Sequence, residues 1–364
     1  MRLLPTPEGI GNVTGMTISS NPVLVETWRG DAVESFHRGA VAVVDADGAL
    51  VASLGDIERP IFPRSAVKAL QALPLVASGA ADILGLPDEA LAMACASHGG
   101  EPAHTQRVAA TLAAAGLDAA ALECGAHWPS HEATTRAMAR EGASISALHN
   151  NCSGKHAGFL CLGCVLDHGK DARGFLSGYI NPEHPVMRVV TAALQATTGF
   201  DPASAPRGID GCSIPTYGIA LERLALAFAR FGSGVGLSAE HARAARRLRR
   251  AVARVPFYVA GSGRFDTRIM ERLGERVFCK AGAEGVYCAS LPDRGLGIAL
   301  KIDDGGYSRA AEVAMAAMIE NGVALDDDET GFMRPFSSKT LSNWNGNAIG
   351  RVEAAKVLRS LVLR

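Results

Sequence analysis

Aromatic residues are scarce in this chain, at 5% of 364 positions. Neither sign of charge is in excess: 36 Lys and Arg face 37 Asp and Glu, a formal net charge of −1. That balance gives no electrostatic pull toward nucleic acid or an anionic membrane, so neither is expected as a partner. No uninterrupted apolar run reaches the ~18 residues that a bilayer span needs. The opening residues, Met1-Arg2-Leu3-Leu4-Pro5-Thr6-Pro7-Glu8, lack the apolar stretch of a secretory signal. A soluble, cytoplasmic protein is expected. Long low-complexity tracts are missing too. Disorder is not expected outside the first ~20 residues and a short stretch near the C-terminus.

What is present is apolar bulk. Hydrophobic residues make up 48% of the chain, enough for a large core in one or two domains. There are eight cysteines. In a chain this long with no signal peptide, they read as free thiols or metal ligands rather than disulfides. Cys279 and Cys288 sit in apolar company and read as core. Cys161-Leu162-Gly163-Cys164 lies in an apolar helical run with no second C-x-x-C, and also reads as core.

Strand-like runs lie near Val23–Trp28, Ala40–Val44 and Ala49–Leu54, the last two joined by the hairpin turn Asp45-Ala46-Asp47-Gly48. A helix is expected from about Ser65, after Pro63. Ala-rich periodic segments near 104–116, 131–140, 155–168, 184–197, 218–231 and 238–254 predict a helical middle. Strands return at Arg276–Lys280, Gly285–Ser290 and Gly295–Ile302, then a helix from Ser308 to about Asn321. The expected fold class is α/β (α+β): an antiparallel sheet from both chain ends, flanked by helices, with a mostly helical middle region. Residues 1–20 are read as a leader segment and 21–364 as one catalytic unit. Within it the α/β part covers about 21–100 and 270–364, and the helical part about 101–269.

Three short segments suggest chemistry. In Pro63-Arg64-Ser65-Ala66-Val67-Lys68, Ser65 and Lys68 stand at i and i+3 and share a helical face. A lysine of lowered pKa can activate a serine hydroxyl, and a helix N-terminus favours an oxyanion beside it. In Cys95-Ala96-Ser97-His98-Gly99-Gly100-Glu101, an apolar run opens into a polar loop. A plain glycine turn with a capping serine would look the same. In Phe278-Cys279-Lys280-Ala281-Gly282, a lysine ends an apolar strand and small residues follow. An exposed strand-end lysine is the ordinary alternative.

Taken in order, S-x-x-K, a second serine loop and K-A-G resemble the three-motif plan of the penicilloyl serine transferases. The departures are S-H-G in place of S-D-N, Ala281 in place of Thr or Ser, and a short spacing from Ser65 to Ser97. They point away from a β-lactam substrate. The closer resemblance is to the rhizobial-type L-asparaginases, related in fold to serine β-lactamases and glutaminases. It spans about Val23 to Leu325. The carrying motifs are Pro63–Lys68, Ala96–Gly100, Asn150-Asn151-Cys152-Ser153-Gly154-Lys155-His156, Asp210-Gly211-Cys212 and Cys279–Gly282. The resemblance implies two serine–lysine pairs, Ser65 with Lys68 and Ser97 with Lys280, and we favour Ser65 as the acylated residue. It implies L-asparagine as substrate, cleaved to L-aspartate and ammonia, and assembly as a homodimer.

Cys152 and Cys212, from distant loops, are candidates for Zn²⁺ if the fold brings them together; two inert cysteines are the alternative. His156 would be a more ordinary third ligand than Lys155. The resemblance implies Cys152, Lys155 and Cys212 as ligands, with Asp210 nearby, and a zinc that orders the pocket. Arg264, in a glycine loop, and Arg64 are candidates to clamp a carboxylate. Arg264 pairing with Asp266 at the surface is the alternative. His98 is a candidate substrate contact or general acid. The arginines from Arg243 to Arg254 are spread round a helix whose apolar side is Ala245, Leu248 and Val252, a solvated amphipathic helix. Two other functions stay open: a glutaminase or other small-amide hydrolase, and a non-catalytic amino-acid sensor.

Overall fold

The computed structural model describes residues 20–167, 172–306 and 310–363. The proposed leader, 1–20, therefore lies almost wholly outside the described residues, as does the expected start of the helix at Ser308.

Strands from both chain ends join one antiparallel sheet. They are β1 (Val23–Arg29), β2 (Ala32–Asp45), β3 (Leu50–Leu54), β6 (Phe278–Ala281), β7 (Val286–Leu291), β8 (Leu296–Ile302), β9 (Ser338–Ser342) and β10 (Ala348–Ala354). The order is β6-β7-β8-β2-β1-β10-β9, with β3 also paired to β2. β2 holds the sheet together: its first half pairs with β1 and its second half with β3 and β8. The hairpin of β4 (Arg207–Ile209) and β5 (Pro215–Tyr217) forms a separate two-stranded sheet.

The longer helices are α1 (Asp88–Ala94), α2 (Pro102–Ala114), α3 (Glu132–Glu141), α4 (Ser153–Leu166), α5 (Pro185–Thr198), α6 (Leu221–Ser233), α7 (Ala239–Arg254), α8 (Phe265–Leu273), α9 (Glu312–Gly322) and α10 (Asp327–Ser337). Helices α2 to α7 and α9 fall where periodicity places them, while α1, α8 and α10 were not expected. α7 buries Ala245, Leu248 and Val252 as expected. α6 packs on β2, β7 and β8, while α9 packs on β1, β7 and β10. Every residue of β7 is buried. Continuous apolar strands of this kind need cover on both faces. A second apolar cluster, including Met93, Val108, Leu160 and Met187, fills the helical part.

Three expectations need correction. The helix expected from Ser65 is instead a 3₁₀ turn, Arg64–Val67, followed by short helical pieces interrupted near Pro74. β2 is far longer than Ala40–Val44, because its mostly exposed first half carries a polar pattern with little apolar signal. The C-terminal stretch is ordered: α10, capped by Asp326, leads into the β9–β10 hairpin. β9 is the edge strand, and both strands are half exposed, so the sequence shows weak alternation there.

Gly297 marks the closest approach of helix to sheet. A Cβ there would lie 1.9 Å from the Ala225 carbonyl oxygen and 2.3 Å from the Ala229 nitrogen of α6. Backbone atoms cannot rotate away, so Gly297→Val must push the helix off the strand. The expected loss is about 2–3 kcal/mol of stability, read from the denaturant midpoint. An unchanged midpoint would contradict this packing.

Candidate active site

Three elements distant in sequence meet at one hydroxyl. Lys68 follows the 3₁₀ turn, Ser97 lies just beyond α1, and Lys280 stands on β6. Both lysines are buried, at 1% and 0% exposure. Lys68 Nζ donates to Ser97 Oγ at 2.8 Å and to the Ala96 carbonyl at 2.6 Å. Lys280 Nζ donates to the same Oγ at 3.0 Å and to the Ala281 carbonyl at 2.8 Å.

Burial pushes the Lys280 amine down to about 8, against the opposing pull of Asp266; Lys68 beside it adds to the fall. Asp266 lies 3.9 Å from Lys280 and is itself buried. It accepts from the Ala281 amide at 3.3 Å and from the Tyr287 hydroxyl. Burial raises its carboxyl, with Lys280 opposing. The surface pair of Arg264 with Asp266, one of the sequence alternatives, is thus not what Asp266 forms here. In the sequence, Asp266 is placed only at the surface beside Arg264 and Tyr287 is not singled out, because their contact joins α8 to β7, 21 residues apart.

Ser65 is half-buried, one 3₁₀ turn before Lys68. Its hydroxyl makes no hydrogen bond among the described residues. The hydrogen-bonded partner of Lys68 is Ser97, whereas the sequence pairs Lys68 with Ser65. The turn itself is strained: Arg64 has φ +51°, costly for a residue with a Cβ. Its guanidinium holds Asp210 at 2.8 Å, which fixes it there. Gly282 explains the third residue of K-A-G. A Cβ there would stand 2.5 Å from the Pro63 carbonyl oxygen, so only glycine lets the Ser65 turn lie against β6.

His98 is fully buried behind Ser97. The Ser153 hydroxyl donates to the Leu148 carbonyl at 2.9 Å, so it accepts from His98 Nε2, also at 2.9 Å. His98 Nδ1 accepts from the Gly100 amide at 3.1 Å. Both ring nitrogens are therefore engaged in the loop, and burial keeps the ring neutral. Arg264 sits at the start of α8, where its charge is felt by both Asp266 and Lys280.

Cys152 at the start of α4 and Cys212 at the β4–β5 hairpin tip do come together. The Cys212 thiol donates to Cys152, which holds Cys152 well below the usual thiol range despite burial, and raises Cys212. Buried Lys155 donates to Cys212 Sγ at 3.1 Å. Burial would lower its amine, but the two sulfurs outweigh that and raise it. Asp210 is held low by Lys155 and Arg64 against its own burial. Two sulfurs and an amine suit Zn²⁺ by donor type. Among the described residues no three of His, Cys, Asp and Glu gather around one point, so a zinc here would need the lysine. His156 faces elsewhere, with Nδ1 2.6 Å from the Tyr179 hydroxyl.

A family model described as L-asparaginase II matches residues 25–354. No curated protein matches the chain. Among solved structures it is similar to a β-lactamase from Mycobacterium bovis, at 17% identity over 76% of this chain and 90% of that one, with a TM-score of 0.37. It is also similar to a probable glutaminase from Bacillus subtilis complexed with 6-diazo-5-oxo-L-norleucine. There the identity is 13% over 73% of this chain and 76% of that one, with a TM-score of 0.29. No helix among the described residues is long and apolar enough to cross a membrane.

The electrostatics of Lys280 can be measured directly by NMR titration of ¹³Cε-labelled lysines. One lysine should titrate near pH 8. Asp266→Asn removes the carboxylate that favours the ammonium, so that midpoint should fall further. A midpoint that rises or stays in place would contradict the burial argument.

Proposed function

The chain belongs to the L-asparaginase II family, and on that premise we propose that it hydrolyses L-asparagine to L-aspartate and ammonia by serine–lysine catalysis. What supports this most is the Ser97 hydroxyl shared by two buried lysine amines at 2.8 and 3.0 Å. Among the described residues the Ser65 hydroxyl has no such contact, which favours Ser65 as nucleophile and leaves Ser97, held between the two amines, as relay.

Lys280 is neutral in much of the population at mildly alkaline pH, because burial lowers it to about 8. It takes the Ser97 proton while Ser97 takes one from Lys68. The neutral Lys68 then accepts the proton of Ser65, on the same turn, as Ser65 Oγ bonds to the side-chain carbonyl carbon. The carbonyl electrons move to oxygen, and backbone N–H groups stabilise the oxyanion. As the C–N bond breaks, the proton returns along the same path to the leaving ammonia. Water attacks the resulting ester with the relay again as base, and L-aspartate leaves with Ser65 regenerated. Arg64 and Arg264 are the proposed carboxylate partners, with Asp210 and His98 fixing the walls. Cys152, Lys155 and Cys212 would hold Zn²⁺; its contribution when bound is to tie the hairpin carrying Asp210 to α4.

The test is ammonia release from L-asparagine and L-glutamine by the wild type and Ser65→Ala. Asparagine should be preferred; pocket contacts alone give ~1–3 kcal/mol against the extra methylene. Ser65→Ala should lose at least about 10³-fold in kcat with the fold intact. Equal use of glutamine would favour the broader amidase reading. Binding of asparagine without ammonia release would favour the sensor.

A further inference from the structure

We propose that Glu101 is a positioning residue: its buried carboxylate bolts the loop carrying Ser97 to the loop carrying Arg264, and so sets where the substrate's carboxylate lies relative to the serine–lysine relay. This rests on the proposed function and on Arg264 as a carboxylate partner.

Glu101 stands at the start of α2, four residues after Ser97. A carboxylate at a helix start ordinarily turns back to cap the helix amides. This one takes part in a capping box with His104 and also reaches across the site. It accepts from the Ser262 amide at 2.8 Å and from the Ser262 hydroxyl at 2.7 Å, a partner 161 residues away. Its own amide donates to His104 Nδ1 at 3.2 Å, and His104 Nε2 in turn donates to the Phe257 carbonyl at 3.2 Å. The Ser97 amide donates to the Val259 carbonyl at 2.8 Å.

The Ser97–Glu101 loop is therefore pinned to the 257–262 segment at three places, and Arg264 follows two residues later. Backbone shape agrees. Gly261 has φ +110°, and a Cβ there would stand 2.5 Å from Glu101 Oε1. The segment is built to bring its backbone onto this carboxylate. Burial raises the Glu101 carboxyl, but the Ser262 donors outweigh it and keep it ionised.

The titratable side chains facing it are His104 and His131; Nδ1 of His131 lies 3.9 Å away. Its amide donates to the Gly99 carbonyl at 3.0 Å, on the same loop. Neither Glu101 oxygen is directed at Ser65, Lys68 or Lys280, so its influence passes through the loops.

Glu101→Gln keeps the size and one acceptor but weakens the clasp; Ser262→Ala removes only the hydroxyl contact. Each is compared with the wild type on L-asparagine and on 3-aminopropanamide, which has the same amide and amine but no α-carboxylate. The expected result is a KM for L-asparagine raised about tenfold in Glu101→Gln, and less in Ser262→Ala, with kcat little changed. The kcat/KM for 3-aminopropanamide should be unchanged. Calorimetric binding of L-aspartate should weaken by a similar factor, a readout that needs no turnover. Equal losses on both amides would show general distortion and overturn the proposal, as would an unchanged KM. A wild type that neither hydrolyses L-asparagine nor binds L-aspartate would overturn the functional reading itself.

Discussion

One serine oxygen held between two buried lysine amines is the constraint around which the site is organised. Removing an ammonium group from water costs several kcal/mol, and two beside one oxygen also repel. The structure offsets this with the Ala96 and Ala281 carbonyls and with Asp266 on the far side of Lys280. Even so, the balance falls short for Lys280, whose amine is driven toward its neutral form. That shortfall is the source of a base. The surrounding packing keeps the three elements in place. Gly282 admits the Ser65 turn against β6, and Gly154 admits α4 against α1, where a Cβ would lie 2.5 Å from the Met93 carbonyl oxygen. The bridge between Ile61 and Ile219 ties the segment before Ser65 to the hairpin bearing Asp210.

The sulfur cluster is part of the same electrostatic system. Cys152 is stabilised as a thiolate by Cys212 first, and then by the charges of Lys68 and Lys155. Cys152 in turn favours the charged form of Lys280, though less than Asp266 does. Negative charge at Cys152 thus helps to hold Lys155 and Lys280 in a dry interior. Anything that neutralises that thiolate would be felt at the relay. Arg64 links the two regions mechanically, since its strained backbone precedes Ser65 and its side chain holds Asp210.

Much of this was legible in the chain. Helices such as α7 announce themselves because they bury one stripe, here Ala245, Leu248 and Val252. The strands β7 and β8 read clearly because they are buried on both faces and so nearly continuously apolar. The half-exposed strands β9 and β10 did not, nor did the first half of β2, because their alternation is diluted by polar residues. Ser97 and Lys280 were visible as a polar loop after an apolar run and a lysine ending an apolar strand. Their meeting was not, because it depends on α1 and β6 being neighbours in space. The roles of Asp266, read only as a surface partner of Arg264, and of Glu101 were hidden because they lie in partners 21 and 161 residues away. The hydrogen bond of Lys68 to Ser97 was equally hidden: it depends on the loop after α1 lying against the Lys68 amine, a contact 29 residues apart in the chain.

The central claim is that a lysine amine of lowered pKa supplies the base. The pH dependence of kcat/KM for L-asparagine tests it most directly, since that profile reports ionisations of the free enzyme. A rising limb with its midpoint at about 8 is the predicted result. A profile flat from about pH 6 to about pH 10 would contradict it, because a titrating base must appear in the rate.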